Sequence, residues 1–348
     1  MISEIKVSSR NLAFDLMKGM AVLAMIQVHL TELFARQDIY DSFSGQLSLF
    51  FGGVPAAPVF MAVMGYFLAT STSLLDSLTR GIKLIVWGLL LNIGLNFHLI
   101  YKTWQGNLHT NLLQYVFGAD ILLLAGFSVI IISIVRLIFR NAWLPYLLLA
   151  LAIAAFGPYI PVVSGSKLPY LMAFAGGNYS WSYFPVFPWL AYPLAGLAFG
   201  LGKDKIRALT TGKDLIIFAL CFVLWLTGLL VFGFRISSSL TLYYHHGILF
   251  FVWALLFIIC IAYIAAFIVS KSGTFVLVRY FAWLGKNVTA IYVIQWLIIG
   301  NIATQIWKTQ GFSQLALWYA GILTAVSVLA YIYTSIKAYF TPSKEISL

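Results

Sequence analysis

Charge is what this chain has least of. Only 9% of its 348 residues are Asp, Glu, Lys or Arg, and the acids number ten. A soluble domain of that length cannot clothe its surface with so few charges, so that class is excluded. Cysteine is scarcer still. Cys221 and Cys260 each lie alone in an apolar stretch, which rules out a disulfide framework or a CxxC metal site and makes both packing residues. There is no Gly-rich phosphate loop, no nucleophile elbow and no zinc-protease helix. Internal repeats, low-complexity tracts and an extramembrane domain are also missing, so residues 1–348 read as a single domain.

In their place stand apolar residues: 62% hydrophobic, 17% aromatic, mean hydropathy +0.95. This composition predicts an all-α, polytopic integral membrane bundle. Ten apolar segments can be marked, near 12–34, 47–74, 80–101, 110–137, 142–160, 184–202, 214–233, 246–269, 279–302 and 313–338. More spans follow the first, and it lacks a small-residue cleavage site, so it reads as a retained helix and not a signal peptide.

The net charge of +11 raises nucleic acid as a partner, and placing the cations by loop removes it. One side collects fourteen: Lys6, Arg10, Arg80, Lys83, Arg136, Arg140, Lys203, Lys205, Arg207, Lys213, Lys271, Arg279, Lys337 and Lys344. The other holds five: Arg36, Lys102, Lys167, Arg235 and Lys308. Positive charge concentrates on the cytoplasmic side of membrane proteins, so both termini are expected there, in agreement with an even number of spans. His29, His98, His109, His245 and His246 all fall at the opposite, extracytoplasmic ends of their segments. Histidine is the side chain that exchanges protons near neutral pH.

The first segment carries the densest polar pattern. Asp15, Lys18, Val22, Met25, His29, Glu32 and Arg36 recur at spacings of three and four, one stripe of a helix. Every ionisable group of the segment lies on it, and Gln27 does not. Fourteen residues separate Asp15 from His29, roughly 21 Å of helix. Ionisable groups inside a membrane are costly, so the stripe is expected to face a protein interior or a wet channel. Asp15 and Lys18 read equally as an ion pair anchoring a helix end. His29 with Glu32 one turn on is the arrangement of a general base and the carboxylate that orients it; a solvated helix end is the other reading of Glu32. Arg80 and Lys83 open the third segment as a basic pair on one face, suited to phosphates or simply to the positive-inside rule. Asp120, in the middle of the fourth segment, is either a functional carboxyl or a buried, hydrogen-bonded acid. Asn92, Gln114, Asn287 and Gln295 suit interhelical hydrogen bonds better than ligand contacts. Two segments look broken, at Gly52–Pro58 and at Phe184–Pro193, and such points line cavities in membrane proteins or are plain proline kinks. The connection from about Pro161 to Tyr183 is rich in Gly, Ser, Asn and Tyr and suits a lid.

Asp15-x-x-Lys18-Gly19 followed by His29 resembles the first helix of the transmembrane acyltransferase superfamily, which includes the acyltransferase-3 proteins and the heparan-α-glucosaminide N-acetyltransferase-like family. Arg80-x-x-Lys83 is similar to its third-helix Arg-x-x-Arg motif, and Phe60 through Gly65-Tyr66 to its second-helix pattern. Phe184 through Gly196 resembles a segment of the heparan N-acetyltransferase branch, and Leu284-Gly-Lys-Asn through Tyr292 a late motif of the superfamily. Lys18 and Lys83 replace arginines, and Gln295 stands where relatives often have histidine. The resemblance implies transfer of an acyl group, most simply acetyl, from cytoplasmic acyl-CoA (acetyl-CoA) to a sugar or glycan hydroxyl or amine outside the cytoplasm, with no metal. Residue by residue, His29 is then the catalytic base or an acylated intermediate, with Glu32, Asp15 and Lys18 in the catalytic set. Arg80 and Lys83 contact the CoA phosphates. Asp120, Asn178, Trp181 and Trp189 are the candidate acceptor contacts, although the outer aromatics also suit plain interfacial anchoring. The implied location is a bacterial cytoplasmic membrane. Two rival readings use the same residues: a lipid or glycan transporter with the stripe as its path, and a non-catalytic membrane sensor.

Overall fold

The computed structural model describes residues 12–71, 73–165 and 168–340. Lys6, Arg10, Lys167 and Lys344, four of the cations assigned above to one side or the other, lie outside the described residues. Among the described residues the regular structure is helical, with one isolated bridge between Ala35 and Gln310 and no strand.

Twelve helices build the bundle: α1 (Leu12–Phe34), α2 (Phe43–Gly53), α3 (Ala57–Leu68), α4 (Leu74–Leu95), α5 (Ile121–Phe139), α6 (Trp143–Phe156), α7 (Ala191–Thr210), α8 (Asp214–Gly228), α9 (Ile248–Ser272), α10 (Val276–Lys286), α11 (Val288–Ile306) and α12 (Phe312–Phe340), with shorter turns between them. Among the described residues, eight stretches are long and apolar enough to cross a membrane: α1, α2 with α3, α4, α5, α8 extended to Ser237, α9, α11 and α12. The other two expected segments are helical without meeting that measure. α6 has only 14 residues, and the second half of α7 carries Lys203, Asp204, Lys205 and Arg207. The protein is a multi-pass, all-α membrane bundle.

Several boundaries differ from the hydropathy reading, each for a local reason. α4 begins at Leu74, not near residue 80, because Ser73 accepts a hydrogen bond from the Asp76 amide (3.2 Å) and caps the helix there. Arg80 and Lys83 therefore sit inside the helix instead of opening it. The fourth segment is not continuous either: a short helix, Leu112–Val116, precedes a non-helical stretch to Asp120, which caps α5. The segment near 279–302 splits at Asn287 into α10 and α11. The expected break at Gly52–Pro58 is present between α2 and α3, and that at Phe184–Pro193 ahead of α7.

α1 runs through the middle of the bundle. At its amino-terminal half it meets α10 backbone to backbone: a Cβ on Gly19 would overlap the Phe281 carbonyl, and one on Gly285 the Asp15 carbonyl. α3 and α7 approach in the same way through Gly65 at Pro193 and Gly196 at Ala62. Small residues are what allow membrane helices to approach this closely. Around these contacts lie two apolar clusters. Leu16, Met17, Ala21, Val59 and Val63 form one, and Val22, Ile26, Leu284 and Ile291 belong to the other.

Candidate acceptor cavity at the far end of α1

The space that this packing closes at one end of α1 opens at the other. A cavity of about 510 Å³ is bordered by Met25, His29 and Glu32 of α1, the α2–α3 break at Gly52–Ala57, Asn92 near the end of α4, Asp120 at the start of α5, Tyr243 and Tyr244, and Tyr292 and Trp296 of α11. Its existence follows from the backbone. The α2–α3 break presents only the small residues Gly52, Gly53, Ala56 and Ala57 to it, and Gly300 and Ala303 keep one face of α11 thin.

His29 is half-buried in the wall. Its ring packs on the indole of Trp296, with centroids 4.1 Å apart. The Gln295 amide Nε2 donates to its Nδ1 at 3.3 Å. Gln295 is fully buried, and its Oε1 has no hydrogen-bond partner. A half-turn of that amide would give the oxygen a donor, His29 Nδ1–H, and leave the Nε2 lone pair of the imidazole free. One neutral side chain can thus pair with either tautomer of the ring, and the Nδ1–H form leaves Nε2 open to take up a proton and give it back.

Glu32 borders the same cavity, but the expected His29–Glu32 pair is not among the hydrogen bonds or ion pairs of the described residues. The imidazole takes Gln295 as its partner instead. Asp120, expected in mid-helix, stands at a helix start. Its Oδ1 accepts from the Ile121 amide (2.7 Å), and the Tyr292 hydroxyl lies 2.6 and 2.5 Å from its two carboxyl oxygens. The stretch leading to it is tied down by Asn92, which donates to the Val116 and Gly118 carbonyls (3.0 and 2.9 Å). Phe184 N–H to the Ala119 carbonyl (2.6 Å) fastens it from the other side.

A family model described as an acyltransferase domain, Acyl_transf_3, matches residues 11–335. The chain belongs to the acyltransferase-3 family. No curated protein and no solved structure matches it.

Within this acyltransferase-3 bundle the candidate residues fall into separate groups. Asp15 and Lys18 form an ion pair (2.8 Å), Asp15 buried, at the packed end of α1. Phe14 touches the rings of Tyr66 and Phe67, so this end lies beside the carboxyl end of α3. Arg136 donates to the Leu68 and Ser71 carbonyls (2.7 and 2.8 Å) and marks the same end. Arg80 and Lys83 are exposed on α4, nine to twelve residues before Asn92, or roughly 14–18 Å by helical rise. They do not border the cavity. Nor does the stripe open as one groove: Val22, between Lys18 and Met25, is fully buried in apolar packing.

Trp189 is fully buried and donates to the Tyr244 carbonyl (2.8 Å), one layer behind the cavity wall. Trp181 packs on Tyr170 and Tyr179, and Asn178 is exposed; neither borders the cavity. The connection carrying them contains a short helix, Leu168–Ala175, and reaches the cavity through Tyr183. His98 is engaged by Asn301 and Gln305, His109 is exposed, and His246 is buried between the Tyr192 hydroxyl (2.9 Å) and the Tyr243 carbonyl (2.7 Å). His29 is the one histidine in the described wall. The wall residues not foreseen as site residues, Tyr292, Trp296 and Tyr244 above all, had one legible signal. Tyr292, Trp296, Gly300 and Ala303 recur at helical spacing as a large–large–small–small face.

Proposed function

We propose that this membrane acyltransferase moves an acetyl group from cytoplasmic acetyl-CoA to a sugar or glycan hydroxyl or amine on the other side of a bacterial cytoplasmic membrane, with His29 as general base. The observation that carries the reading is the His29 cavity at one end of α1, with every other candidate cation of the motif at the opposite end. Arg80 and Lys83, exposed on one helix face, suit the phosphates of the donor. In the transfer, His29 takes the proton of the acceptor group as its oxygen or nitrogen attacks the thioester carbonyl. The carbon–sulfur bond breaks, and the proton passes on to the CoA sulfur. Because Val22 and its neighbours are packed, the acyl arm reaches His29 only after helices part beside that residue. The same packed floor argues against an open permeation path through the stripe. The test is incubation of the purified protein with radiolabelled acetyl-CoA and a glycan panel. Label passes to a glycan with wild type and not with His29→Ala of unchanged melting temperature; equal transfer by both rejects the role of His29.

A further inference from the structure

We propose that Glu32 is the group on which the acceptor docks, and that the cavity admits neutral or cationic acceptors and turns away anionic ones. This rests on the reading of the cavity as the transfer site. The Glu32 carboxyl sits one turn from His29 but makes no hydrogen bond or ion pair among the described residues, the imidazole being occupied with Gln295. The second acid of the wall, Asp120, is already engaged by Tyr292 and the Ile121 amide. Glu32 is therefore the carboxyl left to a ligand. A second unengaged group stands in the same wall: the Ser237 hydroxyl, 1% exposed and without a partner.

The charge around them is one-sided. In a chain with 21 Lys and Arg, none borders the cavity among the described residues. Two cations of the neighbouring rim are already engaged. Arg36 forks onto Asp38 (3.0 and 2.8 Å), and Lys308 donates to Gln37 (2.8 Å) and lies over the Tyr40 ring. A phosphate, sulfate or carboxylate entering here gives up its water beside two acids and finds no counter-cation, and a buried charge without a partner is strongly disfavoured. A hydroxyl or an ammonium instead donates to Glu32, a charge-assisted bond that needs no further partner.

The experiment uses the full chain in lipid nanodiscs and four radiolabelled probes: D-glucose, D-glucosamine, D-glucose 6-phosphate and D-glucuronate. Equilibrium binding is read without donor, and acetyl transfer with it. Expected are binding of glucose and glucosamine, and binding of the two anions weaker by about a hundredfold. Glu32→Gln narrows that gap to about tenfold or less, and Glu32→Asp, which keeps the charge, restores most of it. Anions binding within about threefold of glucose, an unchanged gap in a folded Glu32→Gln, or binding of none of the four overturns the proposal. Discrimination in binding with no transfer to any acceptor rejects the acyl-transfer reading and keeps the charge selection. Transfer to anionic and neutral probes alike does the reverse.

Discussion

From Asp15 to Gly19, α1 meets α10 backbone to backbone, and Val22 is packed beyond it; from Met25 to Glu32 the helix borders open space. The first half has Gly19 and Gly285 seated on opposing carbonyls and Val22 without exposed surface. The second has an imidazole, a carboxyl and a ring of tyrosines around about 510 Å³. A single polar stripe in the sequence thus serves two tasks. Near Lys18 its charges pair with each other inside α1, at the end where Gly19 and Gly285 bring helices together, and near His29 its groups border a cavity. A stripe of ionisable residues in a membrane helix does not by itself mean a channel, because an apolar residue one turn long, here Val22, is enough to close it.

The comparison breaks most sharply at His29. Replacing it with Ala is expected to lower transfer about a thousandfold, the usual range for losing a general base, with the melting temperature unchanged. The packed half should answer in the opposite way. Gly285→Ala forces a methyl against the Asp15 carbonyl, and a loss of roughly 2–3 kcal/mol of stability is expected, read as a lower melting temperature in detergent. Tyr292→Phe strips Asp120 of its hydroxyl partner and should cost about 1–2 kcal/mol by the same measurement. Arg80→Ala with Lys83→Ala is expected to raise the KM for acetyl-CoA about tenfold at unaltered stability. Gly53→Ala is the mildest. A Cβ there would meet the Tyr243 ring at 3.3 Å, so stability should move by about 0.5 kcal/mol or less while the acceptor KM rises. A Gly53→Ala loss as large as that of Gly285→Ala would erase the distinction between the two halves.

The sequence carried the class of fold because composition and hydropathy are properties of whole segments, and burial in lipid depends on just those. It also put His29 and Glu32 on one face of α1, the face that borders the cavity, since a stripe at spacings of three and four survives into any straight helix. What it could not carry was partnership across helices. Glu32 looked like the partner of His29 because the two are neighbours on one helix; Gln295, 266 positions away in the chain, holds that place. Asp120 looked like a mid-span acid because the apolar run continues past it on both sides. The turn at 117–120 depends on Asn92 and Phe184, which no local pattern reveals. Hydropathy puts Arg80 at a helix start because it does not register a serine cap at residue 73.

In the proposed reaction, donor and acceptor meet at His29 from opposite sides. Proteoliposomes with an impermeant glycan acceptor trapped inside and radiolabelled acetyl-CoA added outside test it most directly. Labelled glycan accumulating inside, and none with His29→Ala, is the predicted result. Label appearing on glycan only when both compounds share one compartment would contradict the account.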